Sequence, residues 1–199
     1  MSTIFTIGHS TLPLESFLNL LSSNEITAIA DVRSEPFSGR LPQYNREPFK
    51  EDLAARGVSY VFLGKELGAR PRDDAMYEDD RVRYDLLATT PRFTDGIARV
   101  REGARKFRLA LMCAEGDPLF CHRSLLISRR LSDEGEDVIH IHPSGALETQ
   151  GRAMERLLEL HRLPAMDVFG EQSELVALAS ARQEGRIAFR RTKSPLDRR

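Results

Sequence analysis

Residues 109–126 read LALMCAEGDPLFCHRSLL, and this stretch decides how the rest of the chain is read. Its first part, Leu109 to Cys113, is a short apolar run of strand length. Gly116, Asp117 and Pro118 then break any regular element, and from His122 to Gly135 the residues Leu125, Leu126 and Leu131 recur at helical spacing. Strand, short loop, helix is half of a βα unit. The same order appears on either side of it. Predicted strands at Ile4 to Ile7, Ile26 to Val32, Val58 to Leu63 and Val138 to Ile141 alternate with longer amphipathic segments, the pattern of right-handed crossovers. The fold class expected is α/β: a mainly parallel five-stranded sheet with helices on both faces and Rossmann-like layering.

The connecting helices follow from apolar spacing and breakers. Leu14 to Ser23 starts after Pro13 and carries Phe17, Leu18 and Leu21. Pro48 to Arg56 carries Phe49 and Leu53 and stops at Gly57, a residue suited to the left-handed region after a helix. Pro91 to Lys106 is read as a helix from Phe93, Ile97 and Val100, and Leu147 to His161 from Met154, Leu157 and Leu158. Between them, Gly64 to Thr90 is rich in Asp, Arg, Gly and Pro and only weakly periodic, so it reads as an insertion over the sheet edge or a lid. Residues 1–163 are read as one α/β domain. Residues 164–199 are read as an extension whose removal leaves that domain folded, unless Leu175, Val176 and Leu178 close the core. Seven Arg or Lys oppose two acidic residues from Arg182 to Arg199, and the end from Lys193 is expected to be disordered.

Composition narrows the function classes. The 199 residues include 29 Lys or Arg and 30 Asp or Glu, giving a formal net charge of -1, so no global field draws in nucleic acid or an anionic membrane. Nucleic acid remains a possible partner only through the local basic tail. No apolar run is long enough for a membrane span and the start lacks a signal-peptide pattern, so a cytoplasmic location and no membrane partner are expected. The two cysteines, Cys113 and Cys121, are too few for a disulfide framework and are expected to be reduced.

In open parallel sheets, ligands bind beyond the carboxyl ends of the strands. Polar and ionisable residues gather at four of these exits: Gly8-His9-Ser10, Asp31-Val32-Arg33-Ser34, Cys113-Ala114-Glu115 and His140-Ile141-His142. Asp31 and Arg33 share a face if the strand continues through them, and their ion pair would aim a guanidinium at a carboxylate or phosphate. Arg40 and Tyr44 follow in a Pro-rich loop. At the helix expected to open at His122, free amides, the helix dipole, His122 and Arg123 would meet at one anion position. Cys121, beside His122 and Arg123, could be a nucleophile, and Glu115 or His9 an acid or base. The layout loosely resembles phosphatase and rhodanese loops but lacks the Cys-x5-Arg spacing. No GxGxxG or P-loop pattern occurs, so no nucleotide cofactor is expected. Cys113, Glu115, Cys121 and His122 could supply metal ligands, with His9 or His142. The absent CxxC spacing, and the rarity of adjacent residues pointing at one centre, lead to the expectation of no metal.

Ile7-Gly8-His9-Ser10, Asp31-Val32-Arg33-Ser34, Pro42-Gln43-Tyr44-Asn45, Leu67-Gly68, Cys113-Ala114-Glu115, Cys121-His122-Arg123 and His140-Ile141 occur in this order. Together they resemble the motifs of domain-of-unknown-function family 488 from about Ile4 to His161, with Tyr44 and Ala69 standing where Phe and Gly are expected. The resemblance implies a compact α/β domain with a strand-end site and names no reaction.

The expected function is binding of a phosphate-bearing or nucleotide-like ligand. Cys121, Glu115 and His9 are the candidate catalytic residues. Ser10, Asp31, Arg33, Arg40, Cys113, His122 and Arg123 are the candidate ligand-binding residues. A non-catalytic sensor, a nucleic-acid accessory module and a purely structural hydrogen-bonded lattice are the alternatives.

Overall fold

The computed structural model describes residues 2–164 and 172–191. Its centre is a six-stranded sheet in the order β3-β2-β6-β1-β7-β8. The strands are β1 (Thr3–Gly8), β2 (Ala28–Asp31), β3 (Ser59–Phe62), β6 (Leu109–Cys113), β7 (Asp137–Ile141) and β8 (Leu147–Thr149). The first five in the sheet order are parallel, and all five expected strands are present. The sixth, β8, runs antiparallel to β7 at the edge. It occupies the start of the segment read as a helix from Leu147, so α7 (Gln150–Leu160) opens three residues later, where the Thr149 side chain accepts from the Arg152 amide.

Alternation along the strands feeds two cores. Phe5, Ile7, Ile29, Ala110 and Met112 face α1 (Leu14–Ser23) and α2 (Arg46–Ala55), which contribute Phe17, Leu18, Leu21, Phe49 and Leu53. Ile4, Ala28, Ala30, Leu109, Leu111 and Val138 face the other way. They meet Phe93, Ile97 and Val100 of α5 (Pro91–Lys106), Leu131 of α6 (Arg129–Asp133) and Ala153 and Leu157 of α7. Each such large side chain contributes roughly 1.5–3 kcal/mol by leaving water, so Phe17 or Phe93 cut back to Ala would cost about 3–5 kcal/mol. Thr90 and Pro91 start α5, the Thr90 hydroxyl accepting from the Phe93 amide. Gly57 follows α2 at φ 71°, the left-handed conformation expected of it.

The segment 64–90 is built into the second core. It forms α3 (Gly64–Leu67), a hairpin of β4 (Tyr77–Glu78) and β5 (Arg81–Val82), and α4 (Tyr84–Ala88). Asp79 and Asp80, both at positive φ, make the two-residue hairpin turn. Val82, Tyr84 and Leu87 are buried. The extension takes part as well: α8 (Gln172–Ile187) buries Ala179, Ser180 and Gln183. Gln183 donates to the Leu119 carbonyl (2.9 Å), and Val82 donates from its amide to Phe189 (3.0 Å). This helix is therefore part of the second core. The expectation for Lys193 to Arg199 falls outside the described residues.

The helix expected from His122 differs in its first turns. Arg123–Ser128 is π-helical before α6 begins, and all six of its residues are buried. The wider turn lets Arg123 and Ser124 reach inward under the sheet end. Such segments recur at functional sites.

Candidate functional site

Register brings three strand exits level: Gly8 pairs with Cys113, and Asp31 with Met112. Past the sheet the loops stay zipped, with the His9 amide donating to Cys113 (3.0 Å) and the Ser10 amide to Ala114 (2.7 Å). Ser10 reaches this geometry at φ 48°, uncommon for a non-glycine. At Gly8 a Cβ would stand 1.7 Å from the Glu115 carbonyl oxygen, so the approach of the two loops demands glycine. Above these exits lies a cleft of about 600 Å³. His9, Ser10, Arg33, Ser34, Cys113, Glu115, Cys121 and His122 line it, with Phe37, Leu41, Arg70, Phe120 and Phe189 toward the mouth.

At the β2 exit, Asp31 is wholly buried and holds Arg33 in a fork, Nε to Oδ1 at 2.9 Å and Nη2 to Oδ2 at 2.6 Å. The Arg33 amide and the Tyr60 hydroxyl donate to the same carboxylate at 3.1 and 2.8 Å. Asp31 therefore positions Arg33 and does not itself reach the cleft. Arg33 Nη1 lies 3.4 Å from His9 Nε2. His9 Nδ1 meets the Ser10 carbonyl at 2.8 Å, which requires the proton on Nδ1 and leaves Nε2 as acceptor. The His9 ring stacks on Tyr44 at 4.2 Å, and the Tyr44 hydroxyl donates to the Leu12 carbonyl, which accounts for Tyr where Phe was expected. Burial first, then the Arg33 charge, lowers the His9 pKa to about 4 despite the Ser10 bond, so this imidazole is neutral near pH 7.

At the β6 exit the reactive types converge. The Cys113 thiol donates to Glu115 Oε2 at 3.0 Å, and His122 Nδ1 lies 3.8 Å from each of the two sulfurs. His122 Nε2 meets the Val32 carbonyl at 3.2 Å and so carries a proton. Burial alone would push the Cys121 thiol up. A hydrogen bond between the two cysteines, with the Arg123 and His122 charges, outweighs it and holds Cys121 well below the ordinary thiol range. The same hydrogen bond, with burial, pushes Cys113 well up. Burial and the Cys121 charge raise Glu115, while that charge overcomes burial to raise His122. Both cysteines are free. Cys113, Cys121 and His122 place their ligand atoms within 4.8 Å of one another and are the group among the described residues able to share a metal ion.

Besides Asp31, two expected ligand residues stand elsewhere. Arg123 is wholly buried and turned away from any anion: Nη1 donates to the Glu115 carbonyl at close range (2.5 Å), Nη2 to Gly116 (2.8 Å) and Nε to the Thr6 hydroxyl (3.3 Å). It braces the loop from beneath, because those carbonyls lie nearer than the cleft. Arg40 is exposed and outside the cleft lining. Asp117 caps the short turn Pro118–Phe120 and pairs with Arg156, and His142 pairs with Glu148.

Sequence reasoning named Ser34 and His140 at strand exits without a role, and missed Tyr60, Arg70 and the buried chain that joins Thr6, His140 and Gln150 beneath Arg123. In that chain Thr6 Oγ1 meets His140 Nδ1 at 2.7 Å, and His140 Nε2 meets Gln150 Oε1 at 2.7 Å. Burial, then the Arg123 charge, lowers the His140 pKa to about 4. A threonine interrupting the apolar strand β1 was the available signal.

No helix of the described residues is long and apolar enough to cross a membrane. The chain matches no curated protein and no solved structure. The family model described as domain of unknown function DUF488 matches residues 13–129, a span that holds the Asp31–Arg33 pair and the whole Cys113–Arg123 loop. With more than half of its length matched by that model, the chain belongs to the DUF488 family.

Proposed function

We propose that the strand-end cleft binds a small phosphate-bearing or nucleotide-like ligand and is the active site of an enzyme acting on it. The observation that carries this reading is the cleft's division of labour. Its lining combines the cationic donors Arg33 and Arg70 with the acidic and sulfur groups Glu115, Cys113 and Cys121 and with the exposed rings of Phe37 and Phe120. Arg33 spends Nε and Nη2 on Asp31, which leaves Nη1 to reach an anion as well as His9. Arg70 is half exposed, pairs loosely with Glu35 at 3.9 Å and lies over the Phe189 ring at 4.9 Å, which leaves guanidinium donors to close on a phosphate. Phe37 and Phe120 offer flat apolar surface to a base or similar ring. The volume suits one ligand of drug or nucleotide size. Glu115, open to the cleft and next to Cys113, is the acid–base group, and Ser10 and His9 orient the ligand. Arg33 holds the anion in place of Arg123, and Arg40 has no part.

Thermal melting with inorganic phosphate, a nucleoside and its monophosphate tests the reading. A ligand that binds only the folded chain stabilises it by about 2.7 kcal/mol at a hundredfold excess over its dissociation constant. The monophosphate is expected to raise the melting temperature more than the nucleoside, and Arg70→Ala to weaken that response about tenfold, the equivalent of 1.4 kcal/mol. No response of the unaltered chain to phosphate or monophosphate would overturn it.

A further inference from the structure

We propose that Cys113, Cys121 and His122 bind a thiophilic divalent cation of the zinc type at the floor of the cleft, with its fourth position turned toward bound ligand. Sequence spacing argued against a metal, since Cys113 and Cys121 stand eight positions apart and Cys121 adjoins His122. The backbone supplies the convergence. Cys121 is extended (φ -140°, ψ 142°) and His122 helical (φ -60°, ψ -23°), so the chain turns between them and swings both side chains toward Cys113 at the end of β6.

The distances suit a metal. With metal–sulfur bonds of roughly 2.3 Å and metal–nitrogen bonds of roughly 2.05 Å, a tetrahedral centre separates sulfur from nitrogen by roughly 3.6 Å. Both sulfurs lie 3.8 Å from His122 Nδ1, and the three atoms fall within 4.8 Å of one another. Adjustments of a few tenths of an ångström would bring each sulfur–nitrogen pair to that spacing, and the two sulfurs, within 4.8 Å of each other, would close by at most about 1 Å to the roughly 3.8 Å of a tetrahedral centre. The imidazole is already oriented for it: Nε2 faces the Val32 carbonyl, the arrangement by which a ligating histidine fixes its tautomer and directs the other nitrogen at the metal. The Arg123 amide points at Cys121 Sγ (3.4 Å), a hydrogen bond that suits a coordinated thiolate. All three ligands are buried on their protein side yet line the cleft, which suits a cation held by the protein and reached from one side only.

Two sulfurs and an imidazole select zinc-like ions over magnesium or calcium. Binding releases two protons to solvent, one from the Cys113 thiol and one held by the Cys121–His122 pair, and uses His122 as a neutral ligand. Three protein ligands leave one position open, the pattern of catalytic zinc sites, and Glu115 stands beside Cys113 on the cleft side, placed to take a proton from a water at that position. The ion site rests on the three ligands alone. Its part in turnover rests on the proposed reading of the cleft.

The test uses the full chain, stripped with chelator under reductant and titrated with cobalt(II) and then zinc. About one ion per chain is expected, with tetrahedral cobalt absorption and a thiolate-to-cobalt charge-transfer band that zinc displaces. Cys113→Ser, Cys121→Ser and His122→Asn are each expected to weaken binding a hundredfold or more, and Cys113→Ser to dim the charge-transfer band. Absence of that band in the unaltered chain overturns the site without reliance on any variant's folding. So does unchanged affinity in Cys121→Ser. Melting with nucleoside monophosphate is run on stripped and loaded protein. Metal uptake without any ligand response supports the ion site and removes the proposed substrate, whereas a ligand response without metal uptake removes the ion site alone.

Discussion

The exits of β2 and β6 are neighbours in the sheet and draw on similar polar residue types, yet they treat charge in opposite ways. At β2 the Asp31 carboxylate receives Nε, Nη2 and the amide of Arg33 together with the Tyr60 hydroxyl, all at 2.6–3.1 Å. At β6 each of the two sulfurs stands 3.8 Å from the imidazole nitrogen, and the nearby cation, Arg123, has turned to backbone carbonyls. A buried charge pair that is fully hydrogen-bonded is a brace, because removing either partner strands the other. A buried group of ligand atoms joined only by long, weak sulfur hydrogen bonds is a receptacle. The lesson is that polar residues at a strand end are sorted by how completely they satisfy each other, not by their type.

The sharpest way to break this comparison is Asp31→Ala. It leaves the Arg33 guanidinium buried without its counter-charge and is expected to lower stability by about 3–5 kcal/mol in urea denaturation. A loss below about 1 kcal/mol would mean that Arg33 finds another partner and that the β2 exit is no brace.

Acid sharpens the same point. His9 and His140 have folded-state pKa values near 4, below the ordinary 6.5, so the unfolded chain binds protons more readily between those values. Their contribution to stability is full above pH 6.5 and is lost as pH falls toward 4, by up to about 3 kcal/mol for each. Denaturation at pH 7, 5.5 and 4.5 should show the decline, and His9→Gln should flatten part of it. An identical slope in His9→Gln would show that this ring titrates normally.

Gly8→Ala tests the join between the loops. The added methyl would displace the Glu115 carbonyl and with it the bracing bond from Arg123, at a cost of about 1–3 kcal/mol. Ligand response should fall further than stability does, measured at a temperature where the variant is folded. Unchanged melting and unchanged ligand response would show that the loops do not need this approach.

The smallest stability effect is expected from Glu115→Gln, within about 0.5 kcal/mol of the parent, because the amide keeps an oxygen to accept from the Cys113 thiol and removes a carboxylate that burial disfavours. Any catalytic or ligand-binding change should therefore stand out against an intact fold. A loss comparable to that of Asp31→Ala would make the β6 exit a second brace and dissolve the contrast.

The strands were legible because apolar runs bounded by breakers have few other ways to fold, and β6 was read to the residue. The edge strand β8 was not, since Leu147, Glu148 and Thr149 are too few to show a period and run into a helical pattern. The site was legible as a place. Its internal roles were less so. Arg123 beside His122 reads as an anion clamp until the fold supplies the Glu115 and Gly116 carbonyls, a loop's length back, as nearer partners. Cys121 and His122 read as divergent until a change of backbone conformation between them makes them converge. Both outcomes depend on contacts that no local pattern encodes.

The strand order also dictates when the molecule can assemble. β1 never touches β2, its successor in the chain; its neighbours are β6 and β7, so Phe5 must wait for Ala110 and Ile139 before it has any partner in the sheet. At roughly 5–20 residues per second of synthesis, the first strand leaves the ribosome several seconds before the strand that will hold it. Such late, non-local pairing is slow and leaves apolar edges exposed in the interval. An amino-terminal fragment of this protein ending before Leu109 is accordingly without a native sheet at its centre. When β6 does arrive, it joins β1 to β2 and carries Cys113 in at its tip, so closing the sheet and laying the floor of the cleft are a single folding event.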